Sequence, residues 1–284
     1  MMKILGLLRM VVVLSLDFAC LYNFTSNVEI ATAGTLIVSV YAILGGYLSL
    51  WKEGAVHISK LPQWQKNTLE TAGKLLAEDI EQTNKTKTKF RLYVVPDNSL
   101  NATAYGANCI SVTQGTLKSA DTVTLAGVIA HEASHILCLD PELCRAIFAS
   151  VLAIILAMSA ASYVVIALIF VAFSVFGLRS PFSILMFKGV TKVSKGVFKA
   201  LQLGLIAVYK TIVSILSQNA EYRCDAFACE LGYGQNLACF LEKIESGSLK
   251  KLTLADVLYR THPPTEKRIA KIERRIYSES LMVQ

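Results

Sequence analysis

Two histidines and a glutamate near the middle of the chain have the spacing of a metal-hydrolase motif. His131, Glu132 and His135 belong to the segment His-Glu-Ala-Ser-His, and the four-residue interval places both imidazoles on one face of a helix. Two ring nitrogens can then bind one Zn²⁺ at about 2.0–2.1 Å. Zn²⁺ lowers the pKa of a water that it binds, and the adjacent carboxylate of Glu132 can accept the proton. The motif therefore predicts hydrolysis of a peptide carbonyl.

A pair of carboxylates later in the chain has the same interval. Glu221 is predicted to be the third protein ligand that a catalytic zinc requires, and Asp225 is predicted to accept the second N–H of a liganding histidine. Taken alone, each motif also fits a solvated helix face. Apolar residues at 128–130 and 136–137 flank the histidines and favour a buried helix. The two motifs together favour a metal site.

A soluble segment at 52–144 is predicted to position the histidines. Its expected elements are a helix over Pro62–Thr83, a strand over Lys89–Val95, short strands near 101–105 and 109–113, and a helix from about Val123 to Leu139. Asp121-Thr122 supplies a cap for the last of these helices.

Long apolar runs flank this segment. Spans are predicted at about 8–25 and Ile30–Trp51, and Ala146–Leu178 is uncharged throughout. A bilayer core of about 30 Å takes about 20 helical residues. The two histidines precede the last apolar run, Glu221 follows it, and all three must meet at one metal ion. The chain must therefore cross the membrane an even number of times between the histidines and Glu221. Either 146–178 crosses once and residues near 198–216 cross back, or 146–178 forms a re-entrant hairpin. Each arm of such a hairpin would measure only about 25 Å, so four spans are favoured.

Composition and charge agree with a membrane protein. The chain is 54% hydrophobic and 17% charged, against about 25% charged in ordinary domains. Its net charge of +7 arises from 145–216, where seven basic residues and no acidic residue occur. This excess lies beside apolar segments, so membrane lipids with anionic headgroups are the expected partner and nucleic acid is not. The seven cysteines form no CxxC pair, which disfavours a cysteine zinc site.

Several segments together resemble the HtpX-type membrane zinc endopeptidases, relatives of the CAAX prenyl proteases. The matching residues are His-Glu-Ala-Ser-His with Asp140 five positions beyond, Glu221 with Asp225, His262-Pro263-Pro264 with Arg268, and the edge-strand segment Asn101-Ala102-Thr103-Ala104. The resemblance covers roughly 90–275. Cys224 departs from it, because a small residue is usual before the aspartate.

The resemblance implies an α+β, mostly helical fold: a zincin-type catalytic domain with a small sheet, joined to about four transmembrane helices. It implies one Zn²⁺ per chain. His262 is then a catalytic residue that donates a hydrogen bond to the developing oxyanion, Arg268 anchors its segment through an ion pair, and Asn101 to Ala104 pair with substrate. From the residues alone, the favoured interpretation is that Pro263-Pro264 begins a helix and that His262 is its cap.

The expected function is a membrane-bound zinc endopeptidase that hydrolyses misfolded or membrane proteins in protein quality control. Its alternatives are a prenyl-protein protease, for which the chain has few spans, and a non-catalytic membrane adaptor, which the presence of all four metal-site residues disfavours. Lys3 and Arg9 predict a cytoplasmic N-terminus and, after two spans, a cytoplasmic catalytic face. The resemblance implies a multi-pass protein of the bacterial inner membrane. The predicted domains are 1–51, a transmembrane hairpin; 52–144 and 218–284, the two catalytic halves; and 145–217, a membrane-embedded segment. The sequence does not predict the oligomeric state.

Overall fold

The protein is mostly helical with one small sheet. The computed structural model describes residues 2–84, 88–176, 181–246 and 262–282. The helices are α1 (Met2–Thr25), α2 (Val28–Lys52), α3 (Gln63–Asn84), α4 (Gln114–Ser119), α5 (Thr122–Leu137), α6 (Asp140–Phe176), α7 (Pro181–Glu230), α8 (Gly234–Ser246) and α9 (Thr265–Met282). The strands are β1 (Val56–His57), β2 (Arg91–Val95), β3 (Ala102–Gly106) and β4 (Cys109–Thr113), and a 3₁₀ turn covers Ile58–Lys60. The predicted α+β class is confirmed.

The sheet places β3 at its edge. The strand order is β1-β2-β4-β3, in which β2 and β4 are parallel and the other pairs are antiparallel. The three predicted strands are confirmed to within two residues. Neither β1 nor α4 was predicted, because two and six residues are too few to show a hydrophobic period.

Helix α5, which carries the two histidines, is the centre of the soluble core. Leu125 and Ile129 are completely buried in one cluster with residues of α3, β2, β4, α7, α8 and α9. The Asp121 side chain accepts the Thr124 N–H at 2.7 Å, as the predicted cap requires. The helix ends two residues earlier than predicted, because Leu139 has φ +56°, outside the helical region. This burial fixes the direction in which the histidine side chains project.

Among the described residues, four helices are long and apolar enough to cross a membrane, namely α1, α2, α6 and α7. This number is the one predicted. The apolar run that begins at Ala146 is a single uninterrupted helix through Phe176, so the structure has no re-entrant turn in that part of it. Helix α7 then continues without a break from Pro181 into the segment that carries Glu221.

The chain divides into two compact units. One comprises residues 1–146 and 213–284, and the other comprises residues 147–212. The predicted membrane-embedded segment, 145–217, starts two residues before the second unit and ends five residues after it. The predicted N-terminal hairpin, 1–51, lies in the first unit together with the catalytic halves, and its treatment as a separate domain remains a prediction.

Helix α2 contacts the edge strand so closely that one position admits only glycine. A Cβ at Gly46 would lie 2.1 Å from the Tyr105 carbonyl oxygen. We expect Gly46→Ala to lower the free energy of unfolding by about 1–3 kcal/mol, since backbone must move apart to accept the methyl group. The measurement is thermal unfolding in detergent. Gly204→Ala is the control, because its Cβ would meet no atom within 4 Å. An equal melting temperature for Gly46→Ala and the wild type would contradict the packing.

Candidate metal centre

Three side chains converge with the spacing of zinc ligands. The Nε2 atom of His131 lies 3.4 Å from Oε2 of Glu221, and Nε2 of His135 lies 3.5 Å from Oε1 of the same carboxylate. One ligand atom from each of the three residues can be chosen so that all lie within 4.8 Å of one another. In a tetrahedral site with bonds of about 2.1 Å, neighbouring ligand atoms are about 3.4 Å apart. The donor set therefore fits Zn²⁺.

Glu221 is a buried carboxylate whose surroundings favour a bound cation. It lies in the last turns of α7, where its side chain is 2% exposed. Arg268 Nη1 is 2.8 Å from Oε2, yet among the described residues this oxygen receives no hydrogen bond of good geometry. The close guanidinium offsets its charge but does not satisfy its lone pairs. A buried carboxylate oxygen without a donor is costly, and a metal ion would relieve that cost.

Two further carboxylates orient the histidines. Asp225 Oδ1 lies 3.0 Å from Nδ1 of His131, and Asp140 Oδ2 lies 2.9 Å from Nδ1 of His135. Each contact directs the other ring nitrogen, Nε2, towards Glu221. Arg268 in turn holds Asp225 through two hydrogen bonds of 2.9 and 2.6 Å. Partners of this kind fix the tautomer and orientation of a liganding histidine.

The same contacts alter the protonation of His131. Burial by itself would lower its pKa, but hydrogen bonds to Asp225 and Glu221 outweigh burial and raise the pKa to about 10. In the metal-free site a proton therefore competes with the metal for this ring at neutral pH. Because a liganding imidazole must be neutral, metal affinity is expected to increase as the pH rises.

A cavity of about 320 Å³ joins the histidines to the edge strand. The cavity wall includes all the predicted site residues except Asp225: His131, Glu132, His135, Glu221, His262, Arg268 and Asn101 to Ala104. Glu132 is half-buried there. The side chain of His262 is 66% exposed, and its Nδ1 lies 2.7 Å from Oε1 of Glu221. The structure thus brings together segments that are far apart in the sequence.

Sequence reasoning gave no site role to three residues that lie beside His135. Arg9 and Arg223 both contact Asp140, the carboxylate that binds Nδ1 of His135. The available signal was a charged residue within the apolar run of α1, since charges in membrane segments mark polar partners. For Asp140 the only signal was its place in the resemblance.

The metal-ligand geometry and four membrane-length helices define a membrane metallopeptidase. The chain belongs to peptidase family M48, whose family model matches residues 63–276.

Two curated relatives and one solved structure show the extent of the likeness. The chain is 29% identical over 219 residues to the "Protease HtpX homolog" of Lactobacillus helveticus (strain DPC 4571), a match that covers 65% of this chain and 67% of the relative. It is 27% identical over 267 residues to the protein of the same name from Acidiphilium cryptum (strain JF-5), covering 84% and 86%. The crystal structure of S. mikatae Ste24p aligns with a TM-score of 0.49 and 18% identity over 92% of this chain and 61% of that one.

Proposed function

We propose that the chain is a zinc-dependent endopeptidase that hydrolyses peptide bonds of misfolded or membrane proteins. The observation that supports this function best is the ligand spacing of 3.4–3.5 Å around Glu221, in a cavity bordered by a sheet edge. One Zn²⁺ per chain would be held by His131, His135 and Glu221. When bound, it supplies a Lewis acid that polarises the peptide carbonyl and acidifies a water molecule.

Two residues on the cavity wall have proposed proton and oxyanion roles. Glu132 accepts the proton of the attacking water and returns it to the leaving amine. Nδ1 of His262 faces Oε1 of Glu221, so Nε2 is the ring nitrogen that remains for the substrate. In the imidazolium form this Nε2–H can donate a hydrogen bond to the developing oxyanion.

The edge strand supplies a proposed substrate-binding surface. The Thr113 N–H donates to the Asn101 carbonyl at 3.0 Å, and Thr103 pairs with Ser111 in the same antiparallel ladder. Hydrogen-bonded positions alternate along such a ladder, so the backbone N–H groups of Ala102 and Ala104 point to the free side of β3. An extended polypeptide can pair there as an added strand, with affinity from the main chain and little sequence preference. This mode suits an enzyme with many unfolded substrates.

Ala102→Pro tests the edge strand, because it removes an N–H on the free side while the β4 ladder keeps its donors. We expect an increased KM for an unfolded protein such as casein and little change in kcat. Ala102→Val is the matched control, since it adds bulk but retains the N–H, and its KM should stay near the wild-type value. An unchanged KM for the proline variant would exclude strand pairing at this position.

We propose that the four apolar helices cross the membrane, which would put Lys192 of α7 and the catalytic parts on opposite sides of it. We propose a cytoplasmic catalytic face, from the positive charges of Lys3 and Arg9, and a location in the bacterial inner membrane, from the similarity to the HtpX homologues of Lactobacillus helveticus and Acidiphilium cryptum. A topology reporter inserted near Lys192, an exposed residue of α7, should then report the outside. A second reporter in the exposed turn Asp97–Ser99 should report the inside. Both reporters on one side would contradict four spans.

A further inference from the structure

The first membrane-length helix contacts the end of the histidine helix through a partly buried arginine. Nη2 of Arg9, in α1, donates to the Cys138 carbonyl at 2.6 Å and to Oδ1 of Asp140 at 3.0 Å. Gly6, about one turn earlier, allows the backbones to approach, because a Cβ there would lie 2.5 Å from the same Cys138 oxygen. Two contacts on successive turns therefore fix α1 against the point where α5 ends and α6 begins.

Asp140 connects this arginine to a proposed zinc ligand. Its side chain is 11% exposed, and both of its oxygens have partners. Oδ1 accepts from Arg9, while Oδ2 faces Nδ1 of His135 at 2.9 Å and also accepts from Arg223. Guanidinium groups on the two oxygens hold the plane of the carboxylate, and that plane sets the direction of the His135 ring.

We propose that Arg9 is a positioning residue for His135, acting through Asp140, so that the first membrane helix forms part of the support of the zinc site. This inference rests on the proposed function, since it takes His135 as a zinc ligand. Without Arg9, Oδ1 of Asp140 loses its donor and the carboxylate is held at Oδ2 alone. The His135 ring then samples more orientations, and zinc binding has to restrict them.

A role in orientation differs measurably from a role in fold stability. Removing one member of an ion pair is costly when the other charge is left buried and uncompensated, but Asp140 keeps the guanidinium of Arg223 as its counter-charge. Arg9→Met keeps the length and apolar stem of the side chain but removes the donors. We therefore expect the metal-free variant to unfold near the wild-type temperature, while its affinity for Zn²⁺ falls. If Arg9 served only the stability of the fold, Arg9→Met would lower the unfolding temperature and leave the affinity for Zn²⁺ unchanged.

The experiment measures the Kd for Zn²⁺ by chelator competition, using the full chain in detergent. Arg9→Met should weaken binding about tenfold, the lower end of the range for groups that orient a ligand, and Arg9→Lys should recover part of the loss. For casein, kcat should fall with KM unchanged. Lys3→Met is the control, because it removes the same charge from an exposed position of the same helix and should bind zinc as the wild type does.

A double variant tests the route through Asp140. If Arg9 acts through this carboxylate, Arg9→Met combined with Asp140→Asn should bind zinc no more weakly than Asp140→Asn alone, whereas independent effects would add. An unchanged Kd in Arg9→Met, or additive losses in the double variant, would overturn the proposal. Should Arg9→Met fail to fold, Arg9→Leu gives the same comparison, because it also removes the donors and keeps an apolar side chain. Wild-type protein that binds zinc but does not cleave casein would refute the proposed function and leave this result standing.

Discussion

Glu132→Gln is expected to reduce casein cleavage by about 10²–10⁴-fold, the typical contribution of a general base, while zinc stays bound. The substitution keeps the size of the side chain and touches none of the three proposed ligands, His131, His135 and Glu221. An amide cannot accept the proton of the attacking water, so the chemical step should fail with the metal site intact. The measurements are turnover of casein and metal content of the purified protein.

Glu78→Gln is the matched control for that experiment. Glu78 is an exposed residue of α3, and the same chemical change there should leave turnover unchanged. Full activity in Glu132→Gln would show that another group takes the proton. Loss of zinc from a folded Glu132→Gln protein would instead assign this carboxylate to the metal. These outcomes also separate an enzyme from a membrane adaptor, which would cleave nothing in its wild-type form.

Glu221→Ala is expected to cause the largest loss of zinc affinity among the carboxylate variants. It removes a proposed ligand and leaves two histidines, whereas catalytic zinc sites use three protein ligands. Asp225→Asn should weaken binding by about 10–100-fold, as changes to a ligand's hydrogen-bond partner do, because it perturbs the contacts to His131 and Arg268 but leaves the three proposed ligands in place. Chelator competition measures both affinities.

Which of the two variants loses more zinc affinity shows which residue, Glu221 or Asp225, is the ligand. If Asp225→Asn removes the metal and Glu221→Ala retains it, the assignment of ligand and orienting residue is reversed. Glu230→Ala is the control on the same helix. Glu230 pairs with Arg275 at 2.7 Å, and its side chain is 49% exposed, so its loss should leave zinc affinity at the wild-type value.

Sequence patterns correctly predicted the helices whose conformation is determined by residues that are close together in the chain. The interval from His131 to His135 and the apolar residues around it indicate a buried helix, and Asp121 marks its start. The run from Ala146 is long and uncharged enough to predict a membrane helix. Its interior contains no break because the described part of the run holds neither glycine nor proline. In each case residues within a few turns of one another decide the conformation.

The support of the metal centre could not be predicted in this way. Arg9 and Asp140 are separated by 131 positions, and no periodicity relates them. Their contact depends on the packing of α1 against the end of α5, which the close approach at Gly6 permits. The end of α5 was also mispredicted, because the backbone conformation of Leu139 reflects the connection to α6 and not an amino-acid preference.

The proposed metal ligands come from two segments of the chain that are synthesised at different times. A ribosome produces α5 with its two histidines first, then the apolar stretches of α6 and α7, and only afterwards Glu221. A nascent chain still passing into the membrane therefore carries an incomplete ligand set. The carboxylate can reach the histidines only once the two intervening helices have been made. Under the proposed function, proteolytic competence therefore follows synthesis of both membrane-length helices, and an unfinished molecule stays inert next to the unfolded chains around it.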